Sequence, residues 1–260
     1  MDRYGRWNAL VELLIQHGQV TVAEAAARLA VSPATIRRDF EQLAQQRLIT
    51  RTRGGAAATG SYDLPLRYKT VKHSGEKERI GEAAADLVEP GMVVGLNGGT
   101  TTTEVARALA VRPELNGGDS QPSLTVVTNA LNIANELLLR SRMKIVVAGG
   151  VVRPQSYELV GPLGGALLQE VALDLALLGV DAIDVTLGAA AHHEGEAAIN
   201  SLMVERARRV VIVADASKLG GHAFARVCPI ERVDTLVTDA GADPRTVAGF
   251  EAAGVHVITA

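Results

Sequence analysis

Cysteine is nearly missing from these 260 residues. Cys228 stands alone, which excludes an intramolecular disulfide and any zinc site built on several thiolates. Aromatic residues make up only 3% of the chain, so a core drawn from a 47% apolar composition is packed chiefly by Ala, Val and Leu. No apolar run reaches the roughly 18–20 residues of a membrane helix. The opening MDRYGRWNALVELLIQ has neither an apolar signal segment nor a small-residue cleavage site. A soluble, cytoplasmic protein with no membrane partner is expected. Lysine is absent from residues 1–58, where eight arginines face five acidic residues for a net of +3. The remainder holds 18 basic and 24 acidic residues, a net of −6. A basic head on an acidic body points to a polyanion as the partner of the head.

At this length the chain can form a large and a small domain. Its periodicity changes along its course. Helical spacing covers about 5–17, with Leu10, Leu13 and Leu14 on one stripe, and about 23–30, with Ala26, Leu29 and Ala30 inward. In VSPATIRRDFEQLAQQ, Ser32 followed by Pro33 marks a helix start, a hydroxyl cap and then a proline where no N–H is needed. RLITRTRGGAAA alternates and closes on glycines like a short hairpin. The polar stretch 59–75 reads as a linker, dividing the chain into domains at 1–58 and 76–260. Beyond it, MVVGL, LTVVT, KIVVAGG, LDLALLGV, RVVIVAD, DTLVTD and VHVIT read as strands separated mostly by helical segments of ten or so residues. That alternation predicts an α/β domain with a mostly parallel sheet flanked by helices. ELNGGDSQPS (114–123) reads as a surface loop, and no internal repeat is present.

Wound at 100° per residue, the third helix gathers Ile36, Phe40 and Leu43 on a buried stripe. The opposite face is centred on Arg38, with Arg37 and Gln42 at its flanks. Ser32 and Thr35 sit at the leading end, where hydroxyls and backbone amides can meet a phosphate. Such a helix suits the major groove, with an arginine able to pair bidentately with guanine. Arg51 and Arg53 bracket the hairpin turn and are expected to meet the sugar-phosphate backbone.

In the body, Asn97-Gly98-Gly99-Thr100-Thr101-Thr102 follows a strand and opens a helix. Glycines let backbone amides approach an anion, the helix N-terminus adds partial positive charge, and the threonines add hydroxyls. A phosphate seat is expected there. Other strand ends offer Thr128 and Asn129, Gly149 and Gly150, Arg153, Asp181 and Asp184, and Lys218. His192-His193 lacks a third ligand at metal spacing, so no metal is expected.

VSPATIRRDFEQLAQQRLITRTRGGA resembles the winged helix-turn-helix signature of DeoR-family transcriptional regulators, with Arg53 where the family has histidine. The resemblance continues through Glu76-Lys77, Gly99-Thr100-Thr101, Val127-Thr128-Asn129, Ala148-Gly149-Gly150, Val160-Gly161 and Ala214-Asp215 with Ser217-Lys218. Asn97-Gly98 stand where the family usually has Asp or Ser before Gly-Thr-Thr. The resemblance implies a body of the phosphosugar-isomerase and CoA-transferase type that binds a phosphorylated sugar and needs no cofactor. It also implies double-stranded operator DNA as partner, a homodimer or homotetramer, repression of carbohydrate genes, and Glu196 as an effector contact. An enzyme is the competing class: Asp181, Asp184 and Glu196 are acid/base candidates for isomerisation. Against it, LGAAAHHEGEAA lacks the lysine that such isomerases carry after their aspartate pair.

Overall fold

A computed structural model of the chain describes residues 2–46, 48–58, 66, 73–116 and 122–260. They fall into two compact units, Met1–Lys72 and His73–Ala260. Most of the expected linker, 59–65 and 67–72, lies outside the described residues, as does 117–121 of the expected surface loop.

Residues 2–58 of the first unit, as far as they are described, form three helices and a small antiparallel sheet. Helix α1 (Arg3–His17) starts at Asp2, whose carboxylate accepts the Gly5 N–H at 2.8 Å. Strand β1 (Gln19–Thr21) leads into α2 (Val22–Leu29) through a capping box: Thr21 accepts the Glu24 N–H while Glu24 accepts the Thr21 N–H. Helix α2 buries Val22, Ala25 and Ala26. Ala30 is not inward as expected; it is an exposed cap in the left-handed region, φ 53°, that turns the chain towards the next helix. Helix α3 (Pro33–Gln45) begins at Ser32 and Pro33 as the sequence indicates, with the Ser32 hydroxyl accepting the Thr35 N–H at 3.1 Å. Strands β2 (Ile49–Thr52) and β3 (Gly55–Ala58) form the wing, and β1 pairs with β3. Trp7, Leu10, Leu14, Ile36, Phe40 and Leu43 are the centre of a core confined to this unit.

The second unit is built on a seven-stranded sheet in which every pairing is parallel. In chain order its elements are α4 (Ser74–Ala85), β4 (Val93–Leu96), α5 (Thr100–Val111), α6 (Pro113–Asn116), β5 (Leu124–Thr128), α7 (Leu131–Leu137) and β6 (Met143–Val147). Then follow β7 (Val151–Arg153), β8 (Glu158–Val160), α8 (Pro162–Gln169), β9 (Leu173–Gly179), β10 (Ala182–Asp184), β11 (Gly188–Ala191) and α9 (Glu194–Arg206). The chain finishes with β12 (Ala207–Val213), β13 (Ala225–Cys228), β14 (Thr235–Thr238), α10 (Pro244–Ala252) and β15 (His256–Thr259). All seven expected strands are members of the main sheet, in the order β15-β14-β12-β9-β4-β5-β6.

Alternate residues feed two cores. Leu175 and Leu177 of β9 face α4, α5 and α7, while Ala176 and Leu178 face α8, α9 and α10. Burial on both faces is why these strands read as near-continuous apolar runs. Two features were not foreseen: the β7–β8 hairpin and a small antiparallel sheet β10-β11-β13. The small sheet holds Cys228, whose thiol is pushed by burial up to about 11. From β4 the chain winds outward to β5 and β6, then returns to β9 on the other side of β4. The order therefore reverses between β4 and β9, and a crevice at the carboxyl ends of those strands is where such sheets take ligands.

Candidate functional site

In the first unit, α3 presents the expected face. Arg37 and Arg38 are exposed, Gln42 and Thr35 half-buried, and Ser32 exposed with its hydroxyl 2.8 Å from that of Thr35. Asp39, next to the two arginines in sequence, is buried and points the other way. It takes the Arg6 Nε–H at 2.5 Å and the Trp7 Nε1–H at 2.9 Å, fastening α3 to α1. The arginine pair is thereby left without its neighbouring carboxylate. Arg53 is exposed at the wing turn. Arg51 does not bracket that turn: it lies within β2, donates to the Arg37 carbonyl at 3.1 Å and stacks 5.9 Å from the Phe40 ring centre.

In the second unit the loop after β4 lies at the switch point. Asn97 is buried there, and its side chain pairs with Gly179: it donates to the Gly179 carbonyl at 2.8 Å and accepts the Gly179 N–H at 2.9 Å. It continues the pairing of β4 with β9 one residue beyond β4. The Gly98 N–H is also occupied, by Glu158 Oε1 at 2.9 Å. A Cβ at Gly98 would lie 2.3 Å from Glu158 Cγ, so no other residue fits under that carboxyl. Thr102 is wholly buried and, with Thr103, donates its hydroxyl to the Gly99 carbonyl. Fewer groups of this loop are therefore open than the expectation of a phosphate seat supposes. Gly99 supplies no side-chain cap to α5, so the first N–H groups of the helix, at Thr100 and Thr101, project from its N-terminus without one.

Beside this seat is a group only partly foreseen. Thr128 and Asn129 are fully buried at the end of β5; the Thr128 hydroxyl accepts the Ala130 N–H, and Asn129 Nδ2 reaches Glu158 Oε1 and the Leu159 carbonyl, each at 3.3 Å. Glu158 contacts Glu196 in the first turn of α9, and Glu196 lies 3.2 Å from Arg153. Arg153 thus faces a carboxylate, not an incoming anion. Burial, then the charge of Glu196, pushes the Glu158 carboxyl up to about 8, and the two carboxyls are hydrogen-bonded to each other. Gly149 and Gly150 turn the chain into the hairpin that carries Arg153 and Glu158; the Gly149 carbonyl backs onto Gly164.

Asp181 and Asp184 flank the small sheet and accept backbone hydrogen bonds. Asp184 accepts the N–H groups of Thr186 and Leu187, and Asp181 accepts that of His192 at 2.8 Å. His193 caps α9 by accepting the Gly195 N–H. Among the described residues no cluster of side chains suits a metal ion. Lys218 follows β12 beside Asp215. Burial pushes that carboxyl up, but the Ser217 hydrogen bond and the charges of Lys218, Lys77 and His73 outweigh it and leave it below its ordinary value. Lys77, in the Glu76-Lys77 pair that carries part of the family resemblance, is buried in the first turn of α4. A buried lysine demands a counter-charge. Glu158 is not among the residues expected from the sequence.

A winged helix with its arginines turned outward, carried on one chain with a parallel α/β body, defines a two-part transcriptional regulator. Family models match in the same order: the DeoR-like helix-turn-helix domain over residues 6–61 and the DeoR C terminal sensor domain over residues 72–240. The chain belongs to the DeoR family. It is 33% identical over 257 residues to the putative aga operon transcriptional repressor of Escherichia coli O157:H7, covering 97% of this chain and 92% of that protein. It is likewise 33% identical to the glycerol-3-phosphate regulon repressor of Escherichia coli K12, over 92% of both chains. With the HTH-type transcriptional regulator GlpR of Haloferax volcanii it shares 34% identity over 97% of this chain and 96% of that one. No described helix is long and apolar enough to cross a membrane.

Proposed function

We propose that this protein is a cytoplasmic repressor of carbohydrate genes that binds double-stranded operator DNA as a homodimer or homotetramer and responds to a phosphorylated sugar. The observation that carries the DNA reading is Asp39. Its engagement with Arg6 and Trp7 leaves Arg37 and Arg38 free to present positive charge from an exposed helix face. Arg38, with Gln42, reads base edges; Ser32, Thr35, Arg37 and Arg53 hold the backbone, and Arg51 steadies α3. In the body, the N-terminus of α5, Gly99-Thr100-Thr101, seats the phosphate, and Lys77 and Lys218 supply positive charge nearby in the fold. Glu196, Asn129 and Glu158 line the remainder. Ligand acts by binding one arrangement of the oligomer better than the other, which shifts operator affinity. Turnover is not part of this reading: of the acid/base candidates of the competing class, Asp181 accepts the His192 N–H, Asp184 those of Thr186 and Leu187, and Glu196 faces Arg153.

Selection from random duplexes tests the first half. A shared half-site is expected, with affinity falling steeply as salt rises, and Arg38→Ala is expected to abolish the sequence preference. A screen of sugar phosphates tests the second half: a ligand at a hundredfold over Kd stabilises the chain by about 2.7 kcal/mol and must shift the DNA titration. If no phosphate ester moves that titration, the sensor reading fails.

A further inference from the structure

The main sheet has two edges, and they differ. Strand β15 forms one, and no exposed large apolar side chain among the described residues lies in it or in α10 before it. Strand β6, MKIVV, forms the other, and among the described residues no strand pairs with its outer side. Of the eleven exposed large apolar side chains among the described residues, five lie next to this edge in the chain. Leu138 and Leu139 precede β6, Val147 ends it, and Val151 and Val152 follow. Leu139 is 89% exposed and Val151 70%. The Ala148 N–H reaches the Thr128 carbonyl of β5, so by alternation Val146 also turns its backbone inward. The N–H and C=O groups of Ile145 and Val147 therefore point away from the sheet. The β7–β8 hairpin lies beyond the end of β5, where Glu158 bridges Ala130 and the Leu159 N–H meets the Asn129 carbonyl. Edge strands are commonly blunted by proline, a bulge or several charges. Strand β6 has no proline, pairs with β5 without a register shift and carries one charge, the exposed Lys144.

We infer that β6 is the docking edge for a second copy of this chain, paired antiparallel about a twofold axis at Val146, so that the two main sheets become one. This rests on the reading of the protein as a homo-oligomer and names the surface that joins its copies. The strand is complementary to itself. About that axis Ile145 of each copy lies opposite Val147 of the other, and their outward backbone groups exchange hydrogen bonds. Lys144 falls opposite Ala148, so no like charges meet across the pair. Arg142, just before the strand, is carried about 26 Å from its counterpart at about 3.3 Å per residue. The Leu138-Leu139 end of one copy comes beside the Val151-Val152 end of the other, apolar against apolar. Pairing β6 with β15 of another copy would instead be head to tail and would not close. It would also set this apolar edge against one with no exposed large apolar side chain. The twofold pairing closes at two copies, the number that two half-sites require.

The test is sedimentation velocity of the full chain over a range of concentrations. The unaltered chain is expected to sediment as a dimer or tetramer. Val147→Pro removes an outward N–H, and Val151→Asp places a charge in the apolar flank. Together they are expected to raise the dissociation constant of one assembly step about 100-fold or more, the scale on which central contacts of an interface act. Thr259→Pro is the control on the other edge. The Ala260 N–H turns inward to the Thr238 carbonyl, so that of Thr259 points outward as at Val147, and assembly is expected to stay unchanged. A second measurement leaves the edge intact. Val146→Cys lies on the axis, where opposed Cα atoms of a non-hydrogen-bonded pair stand about 4.5 Å apart, within reach of a disulfide. Mild oxidation is expected to yield a covalent dimer, with Cys228 buried and inert. An unchanged assembly in the Val147→Pro, Val151→Asp chain, or no cross-link at Val146→Cys, overturns the pairing and leaves the homo-oligomer to another face. An unaltered chain that sediments as a monomer throughout overturns both. Should the doubly altered chain not fold, the cross-link decides.

Discussion

Asp39 shows how one side chain can serve two ends. With both of its hydrogen-bond donors on α1, it closes the core of the first unit while its sequence neighbours are turned to solvent. Asp39→Ala leaves the Arg6 guanidinium and the Trp7 N–H facing a cavity, and is expected to destabilise the first unit by about 3 kcal/mol. Arg37→Ala, on the exposed side, is expected to change stability by under about 0.5 kcal/mol. Urea unfolding followed by Trp7 fluorescence separates the two. Glu158 makes a second residue-scale prediction. Its carboxyl is raised to about 8 in the folded protein, above the ordinary glutamate value that returns on unfolding. Between those values the folded state binds more protons than the unfolded one, so stability falls as pH rises from the ordinary carboxylate range to about 8. Above that range the slope vanishes. Glu158→Gln is expected to remove this contribution, visible as a flatter dependence of the unfolding midpoint on pH. An unchanged slope would show that Glu158 titrates normally.

Elements inherit these constraints. Ser32→Ala removes the hydroxyl that accepts the Thr35 N–H, and about 1 kcal/mol of stability is expected to go with it. The contact between the β4 loop and the hairpin is tested by a pair of changes. Gly98→Ala puts a methyl group 2.3 Å from Glu158 Cγ and is expected to cost about 1–3 kcal/mol. In a chain that also carries Glu158→Ala, most of that cost is expected to disappear; additive costs would place the strain elsewhere. The seven strands of the main sheet could be read from the sequence because burial on both faces writes them as apolar, β-branched runs. The hairpin could not: its strands are Val151–Arg153 and Glu158–Val160, too short for a period to emerge. The Gly-Ala-Ala-Ala of β11 has no strand-forming side chain, and only its pairing with β10 and β13 makes it one. Glu158 was hidden for the same reason. An acid in an apparent loop reads as solvated, and only the packing of the hairpin against Asn129 and Glu196 reveals that it is buried. The Gly-Thr loop after β4 is legible as a strand-to-helix turn, but the contacts of Asn97, Gly98 and Thr102 within it depend on packing that spacing cannot supply.

At the scale of the molecule, each unit has a core of its own, so the two tasks proposed for them are expected to separate. Arg38→Ala is therefore expected to abolish operator selection while the stabilisation by a sugar phosphate stays as large as in the unaltered chain. Gel shift and thermal unfolding on the same preparation check both at once; loss of the two together would refute the division. The solitary thiol of Cys228 has a practical consequence for such experiments. It is buried, and its thiol is held near 11, so little nucleophilic thiolate exists at neutral pH. A cysteine introduced at Arg53 on the wing is expected to take a maleimide fluorophore selectively with Cys228 left in place. The natural chain is thus already prepared for a spectroscopic reporter of operator binding.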